Sequence, residues 1–416
     1  MKVPSPLRSS RFRWFFTGRT LSFLGSSMAP VALAFAVLDI TGSPASLGIV
    51  LAARSIPMAA LMLVGGVISD RFSRSTVLVV SNSLTGLSQG LAATLLITGN
   101  AEVWSLAVIE AVNGVVVAFT FPAMQSVIPM VVDRDDLQQT NAILSFSRQG
   151  MFVIGPSLAG LFVVTIGSGW AIAVDGASYV VSAFCMSRLH LRAVERTDPS
   201  SMVADLREGW GVFVSMQWVW VVVSAFGVLN MIHAGVIFTL GPVIAKDTIG
   251  EGAWGAVLSA ESVGFLVTTL VLMRVRLRYP LRAGMLGMAS LALPMLALGA
   301  APQTLVLATL MFLAGVGTEI FGIGWSTAMH ENVPNELQSR LWSYDAFGSF
   351  VAIPIGQLLA GPLAAAFDAR TVAVVAGALY AVVALAALLS PDVRRLRHEA
   401  EAVSPPRADA DETSAP

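Results

Sequence analysis

Twelve long apolar runs dominate this 416-residue sequence, and each is long enough to cross a membrane as a helix. A helix of about 20 predominantly apolar residues spans the hydrocarbon core of a bilayer. Only 12% of the residues are charged and 55% are hydrophobic, whereas a soluble domain carries about 25% charged residues. The sequence therefore predicts an all-α integral membrane protein with twelve transmembrane helices.

The runs fall into two sets of six, which a polar stretch separates. The first set covers residues 14–38, 45–68, 76–97, 103–127, 141–165 and 170–186. The second set covers residues 218–244, 254–273, 283–300, 305–328, 343–366 and 372–389. We therefore predict an N-terminal segment over 1–13, six-helix halves over 14–190 and 217–390, a central loop over 191–216 and a tail over 391–416. The tail is rich in Pro, Ala and charged residues, a composition that favours disorder.

The positions of the basic residues predict how the chain lies in the membrane. Cytoplasmic loops are enriched in Lys and Arg. If the N-terminus is cytoplasmic, only Lys246 and Arg370 of the 25 basic residues face outward, while Arg19, Arg54 and Arg148 lie within helices. Both termini are therefore predicted to be cytoplasmic. The preference for Arg over Lys is typical of GC-rich bacterial genomes, so we expect a multi-pass protein of a bacterial inner (plasma) membrane.

The two sets of six helices contain similar sequences. "RDDLQQTNAILSF" after the fourth run matches "PNELQSRLWSYDAF" after the tenth, so that Leu137-Gln138 aligns with Leu337-Gln338. "GPSLAG" in the next run of the first set likewise matches "GQLLAG" in the second. The halves are therefore predicted to be pseudo-symmetric parallel repeats, related by an axis along the membrane normal.

A short charged loop, "GGVISDRFSRSTVLV", joins the second and third runs. Its residues of interest are Gly66, Asp70, Arg71 and Arg74. Their spacing resembles the loop signature G-x-x-x-D-R-x-G-R-[KR] of the major facilitator superfamily, although Ser73 and Ser75 replace its second glycine and its last basic residue. The resemblance to this superfamily covers about residues 10 to 390. It implies the major facilitator fold, and a loop that latches the cytoplasmic side in the outward-open state.

Arg148 and Asp345 lie near the predicted cytoplasmic face and hold near-equivalent places in the two repeats. We interpret them as latch partners of Arg71 and Arg74, and not as substrate ligands.

The fifth run, "RQGMFVIGPSLAG", contains Gly150, Gly155, Pro156 and Gly160. It resembles the glycine-proline signature G-x-x-x-G-P-x-x-G-G of proton-coupled drug antiporters. It lacks the paired final glycine of that signature, and the spacing between its first two glycines is different. Two interpretations stay open: a feature specific to export, and close helix packing around a proline kink.

Three longer blocks resemble the superfamily branch that holds bacterial macrolide-type and siderophore-type exporters. They are "FPAMQSVIPMVVDRDDLQQTNAILSFSRQG", "AVDGASYVVSA" and "VPNELQSRLWSYDAFGSFVAIPIGQLLAGPL". Drug–proton antiporters often carry an Arg in the fourth helix, whereas this chain has Glu110 there. Their coupling scheme therefore does not transfer directly.

Ionisable side chains inside a bilayer are costly and usually functional, and substrate and ion sites of such repeats lie near the midplane. The candidates for proton coupling and for the substrate cavity are Glu319, Glu110, Glu261, Arg54, His233, Asn113 and Gln89. Counting along the helices places Arg54, His233 and Glu319 near the middle, and Glu110 and Glu261 somewhat toward the outside. Glu319 is the first candidate, because several glycines surround it.

Each candidate also has a plain structural interpretation. Arg54 can form a structural ion pair with a Glu, and His233 can be a hydrogen-bonded packing residue. Glu261 can be a shallow, water-facing group. Asp39 and Asp175 lie toward the outer end of their helices, where a rim or outer-gate role is the plain interpretation.

The sequence contains no phosphate-binding, nucleophile-elbow or metal-ligand motif. We therefore expect no enzyme, no cofactor and no metal site, with a proton gradient as the energy source. The function favoured is export of a small amphipathic drug- or metabolite-like molecule in exchange for protons. An importer or facilitator of a polar nutrient, or a non-transporting membrane sensor, are the alternatives. The expected partners are a small-molecule substrate and the lipid bilayer, with no nucleic acid and with a functional monomer.

Overall fold

A computed structural model describes residues 5–69, 73–132, 136–189, 210–275, 277–333 and 335–397. Within these ranges the chain is almost wholly helical and has no β-strand. Twelve long helical passages follow one another, and they fall into two halves of six. The predicted all-α membrane fold is confirmed.

The first half contains helices α1 to α6. Their bounds are α1 Ser10–Thr41, α2 Pro44–Ser69, α3 Arg74–Ile97, α4 Val103–Val131, α5 Leu137–Ile166 and α6 Ser168–Ser187. Helix α1 begins earlier than predicted, because the Ser9 side chain accepts a hydrogen bond from the Phe12 amide and caps it. Helix α3 begins in the same way at Ser73, whose side chain accepts from the Thr76 amide.

The second half contains helices α7 to α12. Their bounds are α7 Gln217–Asp247, α8 Glu251–Leu272, α9 Pro280–Ala300, α10 Thr304–Asn332, α11 Asn335–Phe350 continuing as Ile353–Phe367, and α12 Ala369–Leu389. Helix α7 contains a π-helical segment, Ala234–Leu240. A π-segment inside an α-helix often marks a functional site.

Eleven of these twelve helices are long and apolar enough to cross a bilayer. Helix α3 is the exception, because Asn82, Ser88 and Gln89 lower its hydropathy. It is nevertheless packed between α4 and α6 like a spanning helix. Its polar side chains thus lie inside the first half.

The predicted boundaries of the loop regions differ from the structure in two places. Residues 210–215 of the expected central loop are helical, and there Trp210 stacks on Phe213. The expected tail begins with a short helix, Pro391–Arg395, in which Val393 is buried. Residues 191–209 and 398–416 of these two regions lie outside the described residues.

The halves meet where α2 packs on α11 and where α5 packs on α8. Gly48 on α2 lies against the carbonyl group of Gln357 on α11, and Gly255 on α8 lies against that of Pro156 on α5. A Cβ atom at either glycine would collide with the facing carbonyl oxygen. Both crossings therefore depend on a small residue that lets the backbones approach closely.

We call the side of the membrane on which α1 begins the terminal side, and the opposite one the far side. Helices α2 and α8 begin on the far side, and α5 and α11 end there. The close crossings at Gly48 and Gly255 lie in the far half of the molecule. The halves are thus joined tightly toward the far side.

Candidate functional site

Arg54 on α2 and Glu110 on α4 form an ion pair inside the first half. Arg54 Nη1 donates to Glu110 Oε2 at 3.4 Å. The Glu110 side chain is 2% exposed, whereas that of Arg54 is 34% exposed. The backbone of Arg54 lies against Gly114, one turn along α4 from Glu110, so the Arg54 side chain reaches Glu110 from one turn closer to the terminal side.

Amide side chains complete the surroundings of Glu110. Gln89 Nε2 on α3 and Asn113 Nδ2 on α4 donate to Glu110 Oε1 at 3.4 and 3.5 Å. Ser88 Oγ on α3 donates to Asn113 Oδ1 at 2.8 Å. The structure thus brings four of the candidates from the sequence into one network.

Asp175 on α6 belongs to the same region, although a rim or outer-gate role was expected. Asp175 is 1% exposed, so it is not a residue of the outer rim, while an outer-gate role stays a prediction. Its carboxylate lies within electrostatic range of both Arg54 and Glu110. One turn along α6, the Tyr179 hydroxyl lies 2.8 Å from Ser26 Oγ on α1. The sequence interpretation missed Asp175 and Tyr179, because position along a helix does not show which face a residue occupies.

The acidic residues of the second half lie on α8 and α10. Glu319 Oε1 on α10 accepts a hydrogen bond from Thr269 Oγ1 on α8 at 2.7 Å. Glu261 on α8 is partly buried and lies within electrostatic range of the buried Tyr380 on α12. In the part of the chain that the structure describes, no ion pair joins Glu319 or Glu261 to the Arg54–Glu110 pair. The acidic candidates are therefore divided between the two halves.

His233 lies directly before the π-helical segment of α7. Its ring contacts Phe238 with centroids 5.1 Å apart. Its Nε2 atom is buried and has no hydrogen-bond partner among the described residues. Gly235 in the segment lies against the carbonyl of Gly356 on α11. His233 is thus packed at an irregular part of α7 and does not contact the acidic candidates.

Three of the four glycine-proline residues of α5 lie at helix crossings. Gly155 packs on Ser27 of α1, Pro156 on Gly255, and Gly160 on the start of α8. A Cβ atom at Gly150, in contrast, would meet open space. Next to Pro156, the hydroxyl groups of Ser157 and Ser259 form a hydrogen bond of 2.7 Å between the halves.

Further polar contacts join the halves on the far side. Lys246 at the end of α7 forms an ion pair with Asp39 of α1 and lies 3.8 Å from Glu251 of α8. Deeper in the molecule, Ser55 Oγ on α2 donates to Gln357 Oε1 on α11 at 2.5 Å. We call the contacts Lys246–Asp39, Lys246–Glu251 and Ser55–Gln357, together with the close crossings at Gly48 and Gly255, the far-side seal.

The latch residues are only partly described. Asp70 and Arg71 lie outside the described residues, Gly66 is in the last turns of α2, and Arg74 begins α3. Asp345 on α11 accepts hydrogen bonds from Trp325 Nε1 and Ser349 Oγ, both at 3.2 Å. Arg148 on α5 is exposed. The proposed pairing of these two residues with Arg71 and Arg74 stays a prediction.

The comparisons with known proteins decide the family. The family model described as "Transmembrane secretion effector" matches residues 2–412, almost the whole chain. The chain belongs to this family of the major facilitator superfamily. It is therefore a membrane transporter for a small-molecule substrate, and not an enzyme.

Curated relatives of this major facilitator transporter come from the predicted branch of drug and siderophore exporters. The multidrug efflux pump Tap of Mycolicibacterium fortuitum is 24% identical over 353 residues, which are 82% of this chain and 86% of that protein. The staphyloferrin A transporter of Staphylococcus aureus is 22% identical over 274 residues, which are 63% of this chain and 67% of that protein. These relatives place the transporter in a bacterial plasma membrane.

Solved structures have the same fold at low sequence identity. The nucleoside transporter NupG matches with a TM-score of 0.74 at 13% identity, over 93% of this chain and all of that chain. A bacterial homologue of the iron transporter ferroportin matches with a TM-score of 0.67 at 17% identity, over 90% of this chain and 98% of that chain. The major facilitator fold expected from the loop signature is thus confirmed.

Proposed function

We propose that this transporter exports a small amphipathic molecule in exchange for protons by alternating access. The observation that carries the proposal is the far-side seal, with charged side chains buried beneath it. A seal on one side and a polar region below are what one state of a rocking two-half transporter requires. Since one chain supplies both halves, we propose that a monomer is the functional unit.

The proposed orientation supports export as the direction of transport. The basic residues favour a cytoplasmic position for the terminal side, so the far side faces outward. With the far-side seal formed, access to the polar region is from the cytoplasm. An exporter loads its substrate in this state.

The relatives support an amphipathic drug- or metabolite-like substrate. One is named a multidrug efflux pump and another a staphyloferrin A transporter. These names suggest two substrate chemistries for a first panel: lipophilic drugs, and carboxylate-rich siderophores.

Carboxylates within the spanning helices supply the chemistry that proton coupling needs. A carboxylate that is desolvated in one state and hydrated in the other binds its proton with different strength in the two states. Glu319, Glu110 and Glu261 are the candidates from the sequence, and Glu319 is the first to be tested. It lies at the contact of α8 and α10, where its one described hydrogen bond comes from Thr269.

The test uses everted membrane vesicles that are acidified inside. Uptake of ethidium, a macrolide and staphyloferrin A is compared among wild type, Glu319→Gln and Asp247→Asn. Asp247 is an exposed acid at the end of α7, so its variant controls for the loss of one negative charge. Uptake that disappears with a protonophore and in Glu319→Gln alone supports the proposal. Protonophore-sensitive uptake that is unchanged in Glu319→Gln transfers the coupling role to another carboxylate.

A further inference from the structure

Asp175 is a buried acid for which the proposed mechanism has so far no use. It is 1% exposed, and its Oδ1 atom has no hydrogen-bond partner among the described residues. An ionised carboxylate in such a place is costly unless it is paired and hydrogen-bonded. The geometry therefore favours the neutral, protonated form of this side chain.

The groups around Asp175 come from several helices. Arg54 of α2 and Glu110 of α4 interact with it electrostatically, and no other charged side chain does so in the described part of the chain. Tyr179 lies on the same helix and is bonded to Ser26. Helix α1 approaches at Gly25, where a Cβ atom would collide with Asp175 and Ser178. Helix α3 approaches with Gly90 next to Gly176. Arg19 of α1 interacts electrostatically with Tyr179 but is not among the charged groups that act on Asp175.

The charges of this cluster do not balance. Arg54 supplies one positive charge, and Glu110 uses it together with two amide donors. Glu110 is thus satisfied as a carboxylate, whereas Asp175 has neither a cation of its own nor a donor at Oδ1. Two carboxylates and one guanidinium leave room for one further positive charge, and a proton on Asp175 supplies it.

We propose that Asp175 is the exchangeable proton-binding site of the first half, and that it releases its proton when substrate is loaded. The inference rests on the proposed function and adds a residue on α6 to the carboxylates that take part in proton coupling. In the sealed state the proton stays on Asp175, because the Arg54–Glu110 pair is closed. Loading of a substrate, or a shift of α2 against α6, brings water or Arg54 to the Asp175 carboxyl group. The carboxyl group then loses its proton to the cytoplasm.

Infrared difference spectroscopy on the full-length protein in lipid nanodiscs tests the site directly. A protonated carboxyl group has a separate stretching band, which disappears when the pH is raised. We expect this band in wild type and in Glu319→Gln, and we expect its loss in Asp175→Asn. Asn has the shape of Asp, so it fits beside Gly25. Carbon-13 labelling of the aspartate carboxyl groups tests the assignment without a change at Asp175, because the band should shift on labelling. The shifted band should remain in the control variant Asp345→Asn.

Transport in everted vesicles then tests the coupling. We expect Asp175→Asn to lose protonophore-sensitive uptake of ethidium but to keep its downhill movement. A band that persists in Asp175→Asn, or that shows no shift on aspartate labelling, overturns the proposal. Full proton-driven uptake by Asp175→Asn also overturns the proposal, because the proton on Asp175 in wild type would then be purely structural. If wild type moves none of the panel, the proposed function fails, and the infrared band alone decides whether Asp175 binds an exchangeable proton.

Discussion

Arg54 on α2 and Glu261 on α8 occupy equivalent positions in the two halves. The backbone of Arg54 lies against Gly114 of α4, and the backbone of Glu261 lies in the same way against Gly315 of α10. The same helices carry a second matched pair, Gly48 and Gly255, at the crossings between the halves. The repeat thus preserves the backbone contacts, while the side chain at this position has opposite charge. Only the first half builds an ion pair there among the described residues.

The first prediction concerns the Arg54–Glu110 pair. Arg54→Gln leaves the buried carboxylate of Glu110 without its cation, so we expect a loss of stability of about 3 kcal/mol, the lower end for a broken buried pair. The lower end applies because Arg54 is itself one-third exposed. The measurement is thermal unfolding of the purified protein in detergent. In the double variant Arg54→Gln/Glu110→Gln part of the loss should return, and equal stabilities of wild type and Arg54→Gln would show that the pair contributes nothing.

The second prediction concerns the close crossing of α5 and α8. Gly255→Ala places a methyl group against the carbonyl of Pro156, and we expect it to weaken the sealed state by about 1–3 kcal/mol. Gly150→Ala is the matched control on α5, because its methyl group meets open space. That change should be neutral or slightly stabilising, since Ala is the better helix former.

A thiol reporter measures the effect of Gly255→Ala on the seal. Val163 on α5 is buried near the far end of the helix, and Val163→Cys can be read in a Cys185→Ala background, because Cys185 is the single native cysteine. We expect faster labelling by a membrane-impermeant maleimide in Gly255→Ala than in Gly150→Ala. Equal rates would contradict the role of this crossing in the seal.

The third prediction concerns the ion pair of Lys246 with Asp39. Both side chains are partly exposed, so the pair contributes about 0.5 kcal/mol. Asp39→Asn should therefore raise labelling of the same reporter only about twofold, and less so in high salt. The swap Asp39→Lys/Lys246→Asp should restore the wild-type rate. A swap that labels like Asp39→Asn would indicate that the two charges do not interact.

Most of the fold was predictable, because each spanning helix needs its own long apolar run. Even α3 was found in this way, although Asn82 and Gln89 reduce its hydropathy. The π-helical segment after His233, where Gly235 packs against Gly356, was not predictable from an apolar run alone.

The site was predictable only as a set of residue types. An ion pair between Arg54 and a Glu was one interpretation of the sequence. The partner could not be chosen, because several Glu residues lie at similar depth. Asp175 was missed for a different reason, because depth along α6 says nothing about rotation around its axis. The contact between Ser55 and Gln357 links residues far apart in the chain, and no local pattern encodes it.

The central claim is that a proton gradient drives substrate across the membrane, and reconstitution tests it most directly. Purified wild-type protein in liposomes is given ethidium outside and an acidic interior, with the pH gradient as the only energy source. We predict that ethidium accumulates inside above its external concentration, and that a protonophore abolishes the accumulation. Uptake that stops at equal concentrations, with or without the gradient, would contradict the claim and would indicate a facilitator.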